Sequence, residues 1–340
     1  MTTLTISTDW TYRGLRTIIL ENSLLRVLIL PEAGAKILQI VYKPHDAGLL
    51  WNNPRIPVEK VPVGARYDDV WSGGWDELFP NDEISVIQGE AFPDHGELWT
   101  CSWEYTLLKS QDEVGVRLAC TTPISAIRIE KEIRLRQGEA MLRFHHRVTN
   151  GGGEAFPFLW KLHPAFAVTP DHRIDFPTMR VVREPDFPGT LDGAPLEFDW
   201  PLAHTGSEVI DLRRVPPEQE RRVHFFYGTG LSAGWCALTN TATGLSCGLR
   251  FDPRVFSSCW LFASFGGWRN YNVAVLEPCT GYPLNFEAMQ QQGHASTLTP
   301  GQTLETDVLF VAAEGHSSIG NIDEQGNMTE SERTLAGLAR

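Results

Sequence analysis

Three short stretches of the chain place two histidines and one glutamate among tryptophan, proline and glycine residues. They read FPDHGELW (92–99), WKLHPAFAV (160–168) and VLEPCTGYP (275–283), and the residues of interest in them are His95, His163 and Glu277. A carboxylate base facing imidazole acids is a sufficient set of groups for moving protons on and off neutral oxygen atoms. The three residues lie far apart in the sequence, so only the fold can bring them together.

Each of the three candidates lies where a regular element is interrupted. His95 precedes a glycine in a broken segment, which favours a loop at the mouth of a sheet, although a surface-loop histidine also fits. His163 and Glu277 each end an apolar run and are followed by proline, which is typical of a strand end. A structural histidine and a salt-bridged glutamate are the alternatives. A buried carboxylate must be paired, solvated or functional, because leaving it unpaired is costly.

Composition and charge exclude several classes of protein. Of the 340 residues, 42% are hydrophobic and 21% are charged, which is ordinary for a globular protein with a large core. The net charge of -13, without a local run of lysine or arginine, argues against nucleic acid or an anionic membrane as a partner. The first residues lack a signal-peptide pattern, and no apolar run is long enough to span a bilayer, so we predict a cytoplasmic protein.

The sequence does not predict a metal or a cofactor. The six cysteines are scattered without a C-x-x-C pair, which favours buried thiols. Asp94, His95 and Glu97 form a compact acidic cluster, but it lacks a second histidine at a suitable spacing. The adjacent His145 and His146 would point to opposite faces of a strand. Phosphate-binding, dinucleotide-binding and G-x-S-x-G motifs are absent from the sequence.

Short β runs separated by turn residues dominate the chain and predict an all-β fold. The predicted strands lie within 17–30, 37–42, 98–108, 113–120, 126–135, 156–168, 222–227, 234–239, 245–251, 258–264, 272–277 and 304–313. Residues 169–220 have broken periodicity and predict a long excursion with short elements. Without a βαβ rhythm, the pattern indicates a large antiparallel β-sandwich in one domain over 1–314. A polar tail is predicted over 315–340, with a helix at 330–338.

Together with GGWDELFPND (73–82) and TLTPGQTLETDVLF (297–310), the three stretches resemble the aldose 1-epimerase (galactose mutarotase-like) family over about residues 24–313. The resemblance implies a large antiparallel β-supersandwich that carries a sugar on the open face of one sheet. It further implies an enzyme that interconverts the α and β anomers of that sugar. By motif position, His95 and His163 correspond to the family's two histidines and Glu277 to its catalytic base.

The chain departs from the family pattern around both histidines. The family's first histidine stands in an Asn-x-x-His-Gly-Gly context, where this chain has Pro-Asp-His-Gly-Glu. The second is typically followed by an aromatic residue and asparagine, where this chain has Pro164, Ala165, Phe166 and Ala167. These differences bear on the identity of the sugar more than on the chemistry.

The mechanism that the resemblance implies needs only acid and base groups. An ionised Glu277 takes the proton of the anomeric hydroxyl, and a protonated His163 donates to the ring oxygen as the ring opens. His95 steadies the developing charge on oxygen. The open-chain aldehyde rotates and closes again with the roles reversed, without a metal, a nucleotide or a covalent intermediate.

Six further residues are candidates for holding the sugar. Tryptophans that could stack on its apolar face are Trp75, Trp99 and Trp260, and polar residues that could bind its hydroxyls are Asp76, Lys161 and Asp252. A tryptophan in a strand is also an ordinary core residue. Lys161 lies two residues from His163 and so shares its face of the sheet, where it could bind a carboxylate, sulfonate or phosphate.

Two other functions stay open at this point. A non-catalytic carbohydrate-binding protein could keep the same sandwich and aromatic face, because a fold does not dictate a function. Glycoside hydrolysis needs two carboxylates, and Asp76 or Glu97 could partner Glu277. The particular sugar and the oligomeric state do not follow from the sequence.

Overall fold

The structure is a computed structural model that describes residues 4–187, 189, 191–206 and 208–331. Strands account for most of the regular structure. The short helices of this part are α1 (Tyr67–Val70), α2 (Phe286–Gln291) and the 3₁₀ turns Lys43–His45, Leu98–Thr100 and Glu218–Glu220. The fold is therefore all-β, as predicted.

The strands follow one another along the chain, and the longest connection between them, residues 49–74, contains α1. The first fifteen are β1 (Thr5–Ser7), β2 (Thr11–Tyr12), β3 (Leu15–Arg16), β4 (Ile18–Glu21), β5 (Leu25–Leu30), β6 (Lys36–Tyr42), β7 (Ala47–Gly48), β8 (Trp75–Leu78), β9 (Ser85–Ile87), β10 (Glu90–Phe92), β11 (Glu104–Lys109), β12 (Glu113–Thr121), β13 (Ile127–Arg136), β14 (Met141–Asn150) and β15 (Phe156–Phe158). The remainder are β16 (Lys161–Ala167), β17 (His172–Asp175), β18 (Arg180–Arg183), β19 (Glu197–Asp199), β20 (Leu202–His204), β21 (Val209–Asp211), β22 (Arg222–Thr229), β23 (Trp235–Asn240), β24 (Leu245–Phe251), β25 (Ser258–Phe265), β26 (Asn272–Cys279), β27 (Ser296–Leu298), β28 (Thr303–Ala313), β29 (Asn321–Ile322) and β30 (Met328–Thr329).

Two large antiparallel sheets form the sandwich. The twelve-stranded sheet has the order β1-β4-β5-β6-β8-β16-β26-β25-β22-β18-β19, with β7 paired to β6. The eight-stranded sheet has the order β11-β12-β13-β14-β28-β24-β23-β17. Small two-stranded ladders, such as β9 with β10 and β15 with β27, connect and border the large sheets.

Alternating side chains explain why the two sheets stack. Along β13 and β14 every second residue is buried, because one face of the eight-stranded sheet packs on the core and the other faces solvent. Trp75 on β8 shows how the core closes, since its ring lies 4.9 Å from the ring of Phe144 and 6.4 Å from that of Phe310 on the other sheet. The main core lies between the sheets.

The central strands of the twelve-stranded sheet are covered on both faces. All residues of β26 except the first are buried, as are all residues of β16 except the last. A second hydrophobic cluster covers the outer face here and includes Trp51, Tyr67, Trp71, Trp99 and Tyr271. This layer of aromatic side chains borders the candidate site.

The predicted strands are confirmed along most of the chain, with two local corrections. Residues 98–103 do not belong to a strand, because Leu98–Thr100 form a 3₁₀ turn and strand β11 begins only at Glu104. The predicted run 156–168 is broken at Leu159 and Trp160, where the chain passes from the small β15 ladder into the large sheet.

The segment after 314 packs on the sandwich up to residue 331. Ile319 and Ile322 are each 1% exposed and join a cluster with Trp235 on the eight-stranded sheet. A backbone amide adds to this attachment, because Ile319 donates to a carboxylate oxygen of Asp175 at 3.0 Å. Most of the predicted helix at 330–338 lies outside the described residues.

The cysteines and helices of the structure add two further findings. All six cysteines are free, and Cys101 alone among them is not fully buried. In the part of the chain that the structure describes, no helix is long and apolar enough to cross a membrane.

Candidate active site

The strand register brings the predicted catalytic residues onto one face of the twelve-stranded sheet. On β16, Lys161 and His163 point outward while Leu162 between them joins the main core. Lys161 lies opposite Cys279, and Ala165 lies opposite Val275, so His163 stands beside Glu277 on β26. Nε2 of His163 is 3.9 Å from Oε2 of Glu277.

These side chains line a pocket of about 170 Å³. This is smaller than the ~300–1,000 Å³ of pockets for drug-sized ligands, and it suits a single sugar ring. The polar lining consists of Tyr67, Asp68, Asp82, His95, Lys161, His163 and Glu277, and the aromatic lining of Trp71, Phe187, Phe225, Phe262 and Trp268. The prediction that His95, His163 and Glu277 meet is therefore fulfilled in the geometry.

Glu277 is held as a buried carboxylate beside a lysine. Its exposed fraction is 1%, and Nζ of Lys161 lies 2.9 Å from its Oε2. This contact is a buried ion pair. Burial raises the pKa of Glu277, and the charge and hydrogen bonding of Lys161 offset this only in part. The site thus holds a buried carboxylate with a raised pKa, whose negative charge Lys161 balances.

Lys161 is shared between two carboxylates. Besides Glu277 it forms a hydrogen-bonded ion pair with Asp82, and its ammonium group lies 4.5 Å from the ring centre of Trp260. Burial alone would lower the pKa of Lys161, but Asp82 and Glu277 outweigh it and raise the pKa. Lys161 therefore stays charged and has its charge balanced inside the protein.

His163 is oriented by a chain of hydrogen bonds that leads away from the pocket. Its Nδ1 lies 3.2 Å from the hydroxyl of Tyr67, and that hydroxyl donates to Asp76 at 2.8 Å. Lys36 donates to the same Asp76 oxygen at 2.6 Å. Because the single hydroxyl proton of Tyr67 goes to the carboxylate, Nδ1 of His163 must carry a proton and donate it. In the neutral imidazole Nε2 is then an acceptor, facing Glu277.

His95 is held by an unusual backbone conformation and by its neighbour. Its φ angle is 60°, in the left-handed region that non-glycine residues seldom adopt. The next residue, Gly96, has a φ of 70°, and a Cβ atom there would lie 2.1 Å from the carbonyl oxygen of Phe79. Nδ1 of His95 donates to Asp94 at 2.9 Å, and its ring stacks on Tyr67 at 4.2 Å.

The pKa values of the two histidines are shifted in opposite directions. Burial lowers the pKa of His163 well below its usual value, and the positive charges of Lys161 and His95 lower it further. Burial also lowers the pKa of His95, but Asp82 and Asp94 outweigh burial and leave this pKa raised. These directions favour a neutral His163 and a protonated His95, while the acid role of His163 stays a prediction.

The predicted sugar-binding residues fall into three groups. Lys161 lines the pocket. Asp76, Trp99 and Trp260 lie behind it: Asp76 holds Tyr67, Trp99 meets the ring of Tyr67 at 4.9 Å, and Trp260 lies beneath Lys161.

Trp75 and Asp252 do not reach the pocket. Trp75 points into the main core, because it alternates with Asp76 along β8. Asp252 follows β24 on the outer side of the eight-stranded sheet and pairs with Arg254 at 2.7 Å. Glu97 is likewise structural, since its carboxylate accepts from the backbone amides of Ile124 and Ser125.

Several residues that line the pocket were not predicted from the sequence. Tyr67 and Trp71 come from α1 and the residue after it, in a segment without β periodicity. Asp82 belongs to the GGWDELFPND motif, but its sequence setting does not distinguish it from a turn aspartate. Phe225 and Phe262 could have been found from the register of β22 and β25, which places them opposite each other. Within the described residues, no group of three or more histidine, cysteine, aspartate or glutamate side chains could hold a metal ion.

Comparison with protein-family models and with curated protein sequences gives no match. Solved structures do match. A candidate aldose 1-epimerase from Klebsiella pneumoniae is 15% identical with a TM-score of 0.72, and the match covers 91% of this chain and 83% of that chain. A galactose mutarotase-like protein from Clostridium acetobutylicum is 12% identical with a TM-score of 0.65, over 92% of this chain and 99% of that chain. A second such protein, from Lactobacillus casei, is 17% identical with a TM-score of 0.60, over 87% of this chain and 100% of that chain.

Identities this low bear on the fold. The chain has the galactose mutarotase-like β-sandwich fold, as the resemblance of its motifs predicts. The chemistry has to be argued from the site itself.

Proposed function

We propose that the protein is an aldose 1-epimerase-like enzyme that interconverts the α and β anomers of a sugar. The observation that carries the proposal is the meeting of the buried Glu277 carboxylate with His95 and His163 in a pocket the size of one sugar ring. Lys161 balances the charge of that carboxylate at 2.9 Å. A hydroxyl of the bound sugar is the group with which these side chains would exchange protons.

Ring opening begins with the anomeric hydroxyl in our proposal. Glu277 accepts its proton, and the raised pKa of this carboxylate makes it a stronger base than an exposed glutamate. The bond between C1 and the ring oxygen breaks as an aldehyde forms. Before the transfer, Lys161 balances the negative charge of the Glu277 carboxylate, 2.9 Å away. After the transfer Glu277 is neutral and Lys161 has lost this ion-pair partner, which favours the return of the proton.

The ring oxygen must receive a proton in the same step. His95 is the donor we propose, because Asp82 and Asp94 raise its pKa and its Nδ1 is already committed to Asp94. Nε2 then remains for the sugar. His163 presents an unprotonated Nε2 and accepts a hydrogen bond from a neighbouring sugar hydroxyl. Rotation about the C1–C2 bond and the reverse transfers give the other anomer.

The lining of the pocket favours a neutral sugar. Trp71, Phe262 and Trp268 offer an apolar wall on which the hydrogen-bearing face of a pyranose can stack. Lys161, the residue that could bind an acidic substituent, is already paired with two carboxylates. An anionic sugar would add a further negative charge next to Asp82 and Glu277, which costs binding energy.

The test is to measure anomer exchange by NMR or polarimetry across hexoses, pentoses, uronates and sugar phosphates. We expect the wild type to accelerate exchange of a neutral sugar, and Glu277→Gln to lose about 10²- to 10⁴-fold in rate while still binding it. A matched control is Glu305→Gln, on the exposed side of β28. Sugar binding without exchange in the wild type would leave a carbohydrate-binding protein in place of the enzyme.

A further inference from the structure

A second groove borders the pocket on the same face of the sheet. It has a volume of about 560 Å³, against about 170 Å³ for the pocket. Phe187 lines both spaces, and Glu83 of the groove directly follows Asp82 of the pocket. The two spaces therefore meet, and a ligand larger than one sugar ring can extend from the first into the second.

A row of aromatic rings leads from the pocket into the groove. The ring of Phe262 in the pocket lies 6.2 Å from that of Phe225, which lies 5.6 Å from Tyr227, and Tyr227 lies 5.9 Å from Tyr282. Phe225 and Tyr227 alternate along β22 and so share one face of the sheet. Tyr227 is only 1% exposed, so the partly exposed rings of Phe262, Phe225 and Tyr282 are the ones on which sugar rings can stack.

The register sets the distance between the groove and the reacting groups. Tyr227 pairs with Trp260 on the next strand, and Trp260 pairs with Glu277 on the strand after that. Two strand spacings amount to about 10 Å. One oligosaccharide in the groove beside Tyr227 can thus place its reducing end at Glu277.

The charged lining of the groove argues for the chemical class of its ligand. Carboxylates of Glu83, Glu184 and Asp186 stand in it, with Arg183 as the opposing cation. Glu184 accepts a hydrogen bond from the hydroxyl of Tyr227 and another from the amide of Asp186 at 3.0 Å. Burial raises the pKa of Glu83, and the negative charges of Asp82 and Glu184 raise it further. Such a lining accepts hydroxyl donors and repels anionic sugars.

We propose that the groove is a second subsite and that the protein acts on the reducing end of neutral oligosaccharides. The pocket holds the reducing sugar, and the groove holds one or more of the sugar residues linked to it. This inference rests on the proposed anomer exchange. It adds to that proposal that the substrate is longer than one sugar and carries no charge.

Ala288→Trp and Tyr282→Ala test the groove, because both residues line it and neither lines the pocket. We would measure kcat/KM of anomer exchange for a monosaccharide and for its neutral disaccharide and trisaccharide. The wild type should prefer the trisaccharide about tenfold, and each variant should remove that preference while leaving the monosaccharide value within about twofold. Ala242→Trp and Tyr12→Ala, at exposed positions, are the matched controls.

The remaining outcomes separate this inference from the proposed function. Equal kcat/KM for all three lengths in the wild type and in both variants would overturn the subsite and leave the epimerase. If no sugar exchanges faster than in buffer, the epimerase fails, and calorimetric binding decides on the groove. Trisaccharide binding that Ala288→Trp weakens about tenfold would then support the groove, and the absence of binding would overturn it. If a trisaccharide of uronic acids binds with the same affinity as the neutral trisaccharide, the inference that the ligand is neutral is wrong.

Discussion

The hydroxyl of Tyr67 lies 3.2 Å from Nδ1 of His163 and donates its own proton to Asp76. This pairing fixes which nitrogen of the imidazole carries a proton, and it does so from a residue outside the sheet. His163 thereby presents Nε2 toward Glu277, while Asp82 and Asp94 raise the pKa of His95. Tyr67 contacts both histidines, because the ring of His95 stacks on it at 4.2 Å.

Tyr67→Phe should remove the preference of His163 for the tautomer that carries its proton on Nδ1. The substitution removes one hydrogen bond from the buried Asp76 and one from His163, at a cost of about 1–3 kcal/mol in the free energy of unfolding. We expect ¹⁵N NMR of the His163 ring to show a mixture of tautomers, with a loss of exchange rate. Tyr12→Phe, with an exposed hydroxyl, is the control. An unchanged His163 spectrum would contradict the role of Tyr67.

The rate of anomer exchange should follow a bell-shaped curve against pH. Glu277 must be ionised, and because its pKa is raised, activity falls as pH falls through a value above the usual glutamate range. His95 must be protonated, and because its pKa is raised, activity falls as pH rises through a value above the usual ~6.5 of histidine. Kinetics of kcat/KM from pH 4 to pH 9 check both limbs.

Asp94→Asn should shift only the alkaline side of the curve of exchange rate against pH. The substitution removes a carboxylate that hydrogen-bonds to His95 at 2.9 Å and raises its pKa, so that limb shifts to lower pH. The control is Asp112→Asn, at an exposed turn. A shift of the acidic limb instead would show that His95 is not the proton donor.

Lys161→Met should move the acidic limb in the opposite direction. Loss of the positive charge 2.9 Å from Glu277 raises the pKa of that carboxylate further, so activity is lost at a higher pH as the solution is acidified. Lys60→Met at an exposed position controls for the loss of a lysine. If the acidic limb stays in place, Lys161 does not tune the base.

Glu77→Gln should destabilise the sandwich without touching the pocket. Glu77 lies between the sheets, 2.8 Å from Lys131 and 3.2 Å from His146, and these two partners hold its pKa well below the usual range despite burial. Breaking a buried pair leaves an uncompensated charge and costs about 3–5 kcal/mol. Urea unfolding measures the loss.

Glu132→Gln, on the outer side of the eight-stranded sheet, is the comparison for that measurement. Glu132 pairs with Arg117 and Arg134 near the surface, where an ion pair contributes about 0–1 kcal/mol. Equal unfolding free energies for the two variants would contradict the importance of the buried triad.

The β periodicity of the chain and its turn residues determined the fold class. Strand β13 alternates regularly between buried and outward-facing residues, and its bounds, 127–136, lie within one residue of the predicted 126–135. The equally regular β14 was not predicted. His163 and Glu277 could be singled out as candidates because each interrupts an apolar run, but both lie inside strands β16 and β26 and not at the predicted strand ends. His95 was singled out by its loop setting, and the catalytic roles of all three stay predictions. Lys161 was predictable as a neighbour of His163 on the same face.

The tertiary structure alone decided the roles of these residues and their surroundings. Trp75 and Asp76 are adjacent in sequence, yet alternation along β8 places one in the core and the other behind the pocket. Protonation depends on charges brought close by separate segments, so Asp82 and Asp94 act on His95 while Lys161 and burial act on His163. Coulomb energy and desolvation depend on distances in space. The sequence named the groups that can exchange protons, and only their packing determined the directions of their pKa shifts.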